Sequence, residues 1–152
     1  MDIRIIVDGI KLNVRSGIII IKDNKILLHK NDNRTNYALP GGGVHFLESS
    51  EEAIIREIKE ETGLDIKVDE CISTIENMFE KDGIRFHEIY FIYKGSFIDD
   101  VDTNKVIENI EGKPLKYSFV DLDNLDDYYI LPVVVKDIIK NKTSHVINRE
   151  ID

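Results

Sequence analysis

The chain has 152 residues, 42% of them hydrophobic, and sets 20 Lys and Arg against 29 Asp and Glu for a formal net charge of -9. That length fits one globular domain over residues 1–152 with a sizeable core, and the acidity, with no clustered basic run, excludes a nucleic-acid polymer as partner while leaving small metal-complexed anions open. A lone cysteine, Cys71, excludes an intrachain disulfide and is expected as a small core side chain; no stretch approaches the ~20 apolar residues of a membrane span, so a cytoplasmic enzyme without a membrane partner is expected.

In chain order, residues 3–7 and 11–14 are short β-rich runs separated by Asp8-Gly9, a dipeptide that accepts the positive φ angles of a tight hairpin. Residues 17–21 read Gly-Ile-Ile-Ile-Ile, a nearly continuous β-branched run suited to a strand buried on both faces, and residues 22–25 turn it into Ile26-Leu27-Leu28. Residues 31–36 are polar and rich in breakers, a loop leading to Tyr37-Ala38-Leu39-Pro40 and three glycines.

A helix over residues 50–62 follows with clear punctuation. Ser49 caps it, Glu52 completes a capping box, and Gly63 ends it in the left-handed region. At 100° per residue Ile54, Ile55, Ile58 and Thr62 form a packing stripe, whereas Ala53, Glu57, Glu60 and Glu61 form another. Downstream, residues 67–79 and 86–93 read as strands joined by Lys81-Asp82-Gly83. Residues 99–112 read as an acidic, mobile loop before a last strand over 115–120. Leu131-Pro132 then opens a helix through about Ile139, and a polar tail follows Lys140.

The acids of that first helix carry the chemistry. Glu57, Glu60 and Glu61 stand at i, i+3 and i+4 beside Arg56, just after Gly41-Gly42-Gly43. Like charges at that spacing disfavour a helix by roughly 0.2–0.5 kcal/mol per pair, so a cation against them is expected. Hard divalent cations prefer such oxygen ligands, and Mg²⁺ uses few carboxylates together with water and substrate phosphates.

The residues resemble the Nudix box: Gly42, Glu48, Arg56, Glu57, Ile58, Glu60, Glu61, Gly63 and Leu64 fill each of its specified positions, after a Leu39-Pro40 lead-in. The resemblance implies an α/β fold, the α/β/α sandwich of Nudix proteins with a mixed central sheet, and metal-dependent hydrolysis of a diphosphate linkage in a nucleotide. It implies Mg²⁺ or Mn²⁺ held by Glu57, Glu60, Glu61 and the Gly41 carbonyl, with Glu48 near the metal and pairing with Arg56 to lock loop to helix; these five side chains form the expected catalytic set. A glutamate outside the box often serves as base, for which Glu108 and Glu111 are candidates and Asp102 a weaker one. A homodimer is also within the family's habit, and the β-rich amino-terminal hairpin is an edge that could pair. One stretch departs from the usual pattern: where the family often reads Val-Glu-x-Gly-Glu, this chain reads Val44-His45-Phe46-Leu47-Glu48, which puts the loop's shape in question.

Candidate substrate contacts are Arg15, able to reach a phosphate from an early strand, Tyr37 and Phe79 as faces for a nucleobase beside Phe86 and Tyr90, and His87. Glu88 competes with His87, because strand alternation turns only one of them into a cleft. The proline that ADP-ribose-cleaving relatives tend to carry about fifteen residues past the box is missing, as is the tyrosine of diadenosine-polyphosphate relatives. Nucleoside triphosphates and related small nucleotides remain. The rival function is a nucleotide-sensing module that binds without turnover, and it leaves the retained carboxylate cluster unexplained.

Overall fold

The computed structural model describes residues 1–151. Three two-residue turns organise its hairpins: Asp8-Gly9, Asp23-Asn24 and Asp82-Gly83 all hold left-handed φ angles between 50° and 77°, the twist that matches antiparallel strands. They join β1 (Arg4–Val7) to β2 (Ile10–Lys22), β2 to β3 (Lys25–Asn31), and β6 (Ile66–Lys81) to β7 (Ile84–Phe97). Residues 11–14 and 17–21, expected as separate runs, are one thirteen-residue strand. Ser16 and Gly17 carry no bulk that would interrupt it, and β7 pairs with it in parallel from Ile10 to Ile20.

The remaining elements are β4 (Tyr37–Ala38), β5 (Gly41–Gly43), α1 (Ser50–Thr62), β8 (Ile107–Glu108), β9 (Leu115–Asp121), a 3₁₀ segment (Leu122–Asp127), α2 (Val135–Asn141) and β10 (His145–Arg149). The sheet runs β10-β6-β7-β2-β3-β9-β8, with β2–β7 and β6–β10 parallel and its other pairings antiparallel. Ile18, Ile20, Leu27, Tyr117 and Phe119 bury one face together with Ile54 and Ile58 of α1. Ile19, Ile26, Leu28, Ile75 and Ile92 bury the other with Val135 and Ile138 of α2. This is the expected α/β/α sandwich with a mixed sheet, and no helix of the described residues is long and apolar enough to cross a membrane.

Where the sheet opens decides where chemistry can occur. β2 and β3 pair only at Ile21–Ile26 and Lys22–Lys25 and then diverge. β5 fills in beside β2 and β4 beside β3, leaving a gap beside Arg15 and His29.

Several local expectations change. Ile55 is exposed, and Ala53 is buried with Ile54, Ile58, Glu61 and Thr62, because the sheet meets α1 on a face rotated toward the acids. α2 begins at Val135, beyond the cis Leu131-Pro132 bond and a turn in which the Val135 N–H donates to the Pro132 carbonyl. The tail holds β10, whose register along Thr74–Met78 of β6 is set by backbone pairing with little apolar signal. Residues 99–112 contain β8 and are tied to α1 by a 2.8 Å bond from the Ile110 N–H to the Glu61 carbonyl. Cys71 is exposed, since a register shift between Cys71 and Ser73 breaks the strand's alternation there.

Candidate active site

Helix α1 starts at the capping box the sequence specifies: Ser49 Oγ accepts from the Glu52 N–H at 3.0 Å, and Glu52 accepts from the Ser49 N–H at 2.8 Å. Gly63 closes it at φ 74°. Between these caps Arg56 acts as a clasp. Its Nε donates to Glu48 Oε2 at 2.6 Å and its Nη2 to Oε1 at 2.9 Å, a two-pronged pair, while Nη2 also reaches the Gly43 carbonyl at 2.9 Å. The same guanidinium touches Glu57 at 3.0 Å and Glu60 at 3.2 Å. The hydrogen-bonded Arg56 draws the Glu48 pKa down to about 2, and Glu48 in turn raises that of Arg56.

The three helix acids sit in different surroundings. Glu60 is 45% exposed. Glu57 is largely buried beneath β5, where the missing side chain of Gly42 leaves it room, and burial raises its pKa. Glu61 is 4% exposed; burial pushes its pKa up to about 7 even though the Tyr117 hydroxyl donates to Oε2 at 2.6 Å. Among the described residues Arg56 is the cation paired with Glu57, and it is shared with Glu48 and Glu60, while Glu61 pairs with none. Among the described residues no three acidic, His or Cys side chains already converge on one point, because Arg56 and Tyr117 occupy these carboxylates. The donor set still fits a hard divalent ion: oxygen ligands on one helix face, Glu57 buried with only a shared Arg56 and Glu61 buried without an ion pair among the described residues, beside the Gly41 backbone.

Beside these acids opens a cleft of about 850 Å³ lined by Arg15, His29, Asn77, Phe79, Glu88 and Tyr90, among others. The box glutamates do not line it. Arg15 bridges the two regions: its Cα pairs with that of Gly43, it lies 5.8 Å from the Tyr90 ring centroid, and its Nε is buried without a hydrogen-bond partner among the described residues. Burial works against its charge, but Glu88, Tyr90, Glu57 and Glu61 together raise its pKa.

Of the expected substrate contacts, Arg15 and Phe79 therefore meet in the cleft. Tyr37 does not line it, packing edge-on to Tyr128 at 5.1 Å. His87 is exposed beside Ile10, Arg85 and Phe86, away from Arg15, and alternation turns Glu88 inward instead. Among the outer acids, Glu111 lies within electrostatic reach of Glu61, Glu108 is exposed on β8, and Asp102 sits with Asp23 and Asp100 around Lys22 at the far end of the sheet.

Sequence reasoning missed three groups. Tyr117 was visible only as a strand residue. Asp2, against Gly43 and 3.2 Å from His45 Nε2, gives no local signal. His29, opposite Arg15, is largely buried, with Nδ1 lacking a hydrogen-bond partner among the described residues; burial lowers its pKa to about 4. From the ordinary value near 6.5 down to about 4, the unfolded chain binds the proton that folded His29 refuses. Stability from this residue is thus complete above pH 6.5 and falls on acidification through that window. Denaturant titrations should show His29→Gln losing less stability than the native chain between pH 7 and 4.5, by on the order of 2 kcal/mol.

The departure in residues 44–48 also has a physical reading. Leu47 stands where the usual pattern has glycine, yet holds φ 63° and projects fully into solvent. A side chain in that region costs roughly 1–2 kcal/mol, with no packing here to offset it. Leu47→Gly should raise stability by about 1 kcal/mol, read as a melting temperature higher by roughly 2–4 °C.

A helix of clasped acids thus lies beside a glycine strand and a cation-headed cleft. The family follows from comparison with known proteins: the NUDIX domain model matches residues 11–136, and the chain belongs to the Nudix family. The ADP-ribose pyrophosphatase of Methanocaldococcus jannaschii is 42% identical over 110 residues, 70% of this chain and 60% of that protein. The Nudix hydrolase YvcI of Bacillus subtilis is 29% identical over 126 residues, 80% of this chain and 78% of its own. The chain thus spans less than two thirds of the archaeal relative's length. The solved MutT protein of Methanosarcina mazei Go1 superposes with a TM-score of 0.60 at 25% identity, over 86% of this chain and 92% of that one.

Proposed function

We propose that this protein hydrolyses the diphosphate linkage of a nucleoside diphosphate derivative, a nucleoside triphosphate or related small nucleotide, in a divalent-metal-dependent reaction. Glu57, Glu60, Glu61 and the Gly41 carbonyl would hold Mg²⁺, with Mn²⁺ as a substitute. The observation that carries this reading is the placement of two buried carboxylates, Glu57 with only a shared Arg56 and Glu61 with no paired cation among the described residues, within electrostatic reach of Arg15 at the head of the cleft. The metal would supply neutralisation of the diphosphate and a bound water of lowered pKa.

The chain's own residues supply the rest. Arg15 offers a fixed cation to a phosphate oxygen. Arg56 positions the acids by joining the loop of Glu48 to the helix and does not itself need to touch substrate. Glu111, exposed and near Glu61, is the candidate to accept a proton from water. The archaeal relative is named for ADP-ribose, also a nucleoside diphosphate derivative, so that compound belongs among the substrates to try even though the chain lacks the proline usual in such relatives.

Phosphate release, coupled to a phosphatase where needed, should be measured across nucleoside triphosphates, ADP-ribose, nucleotide sugars and dinucleotides with Mg²⁺, Mn²⁺ or EDTA. Turnover abolished by EDTA is expected for one class. Metal binding without turnover of any of them would overturn this reading in favour of a sensing module.

A further inference from the structure

The cleft holds more than a diphosphate requires. Strand register divides its floor into levels: Arg15 is aligned with Tyr90 and Ile75, Asn13 with Glu88 and Asn77, and Lys11 with Phe86 and Phe79. Each level lies two residues, about 7 Å, from the next, and alternation keeps these residues on one face. Leading away from the acids of α1, the cleft therefore presents a cation, then a carboxylate with an amide, then an aromatic ring. A 5′-nucleotide presents phosphate, sugar and base in that order.

The middle level is the unexplained one. Glu88 is only 4% exposed, yet it makes no hydrogen bond or ion pair with any described residue. Its carboxylate lines the cleft within electrostatic reach of Arg15, and a carboxylate free of protein donors there is open to a ligand that donates. Asn77, equally buried, accepts at Oδ1 from Asn148 Nδ2 at 2.8 Å, which leaves its own N–H groups for the cleft.

We propose that Glu88 accepts the two vicinal hydroxyls of a ribose whose 5′-phosphate lies at Arg15, with Asn77 beside it and Phe79 next to the base, so that the protein selects ribonucleotides over 2′-deoxyribonucleotides. The proposal rests on the hydrolase reading above. An ionised carboxylate is acceptor-only, and a cis-diol satisfies both of its oxygens, whereas a 2′-deoxy sugar leaves one unpaired. Acidic side chains take a ribose hydroxyl in this way in dinucleotide sites of other folds.

Initial rates with Mg²⁺ for ATP against 2′-deoxyATP, and for GTP against 2′-deoxyGTP, test it. In the native protein the deoxy substrates should show KM higher by at least about tenfold. Glu88→Gln should raise KM for the ribonucleotides by a similar factor and bring the ribose-to-deoxyribose ratio to within about twofold, with Glu88→Asp recovering part of it. Equal KM values in the native protein overturn the proposal, as does a folded Glu88→Gln that keeps the native ratio or changes only the preference between bases. If Glu88→Gln does not fold, calorimetric binding of AMP and 2′-deoxyAMP to the native protein decides: tighter AMP binding by about tenfold supports the subsite, and equal binding refutes it. That measurement needs no turnover. A native protein that hydrolyses neither these nucleotides nor the ADP-ribose, nucleotide sugars and dinucleotides named above refutes the hydrolase reading, and the AMP pair then judges the ribose subsite by itself.

Discussion

Replacing Glu60 with Gln should lower kcat by a hundredfold or more, on the order expected for loss of the metal ligand proposed above, while the melting temperature stays within about 2 °C of the native value. The separation of the two effects follows from where Glu60 sits. At 45% exposure, its one side-chain bond among the described residues is the 3.2 Å contact to Arg56 on the preceding helical turn, worth roughly 0.3–0.5 kcal/mol in an exposed helix pair. Gln keeps the shape and helix propensity of Glu but offers a neutral oxygen to a divalent ion. Raising the Mn²⁺ concentration should restore part of the rate. Native kcat in a folded Glu60→Gln protein would falsify the metal assignment for this residue.

Arg56→Ala should have the largest effect on stability, a loss of about 3 kcal/mol, seen as a fall in melting temperature of roughly 6–12 °C. The side chain is mostly buried and satisfies Glu48, the Gly43 carbonyl and Glu57 at once. Its removal strands two carboxylates and a carbonyl that cannot all reach water. Arg56→Lys should recover little, because a single ammonium cannot reproduce the two-pronged contact with Glu48. In a double-mutant cycle with Glu48→Gln, the combined loss should fall well short of the sum of the single losses, by about 1 kcal/mol or more. Activity should fall in Arg56→Ala as well, since the loop carrying Gly41 and Gly42 is held to the acid-bearing helix through this residue.

Features encoded by local chemistry were legible in the sequence. Ser49, Glu52 and Gly63 fix both ends of α1 whatever surrounds them, and Asp8-Gly9 and Asp82-Gly83 specify their turns through the φ angles they tolerate. The Glu48–Arg56 pair was legible through the spacing of the box. What escaped depends on partners distant in sequence. Ile55 and Ala53 trade places because the sheet, not the helical wheel, determines which face is covered. β10 has only Val146 and Ile147 as apolar signal, and its strand state comes from the exposed backbone edge of β6. A sequence cannot say whether His87 or Glu88 faces inward until the register with β2 is known. Tyr117 meets Glu61 across 56 positions of chain, a pairing no local pattern announces.

The parallel pairing of β2 with β7 also bears on how the protein comes into being. Arg15 and Glu88 occupy neighbouring levels of the cleft floor, yet their strands align positions 10–20 with 85–95, and the intervening chain must be threaded before that ladder can close. Contacts of such sequence separation carry a loop-closure cost that is met before any of their bonds form, and they slow folding relative to local hairpins. The self-capped helix can form early in a refolding chain, but the floor of the cleft assembles only with the whole sheet, so recovery of the cleft is tied to the last global step and not to the return of helical signal.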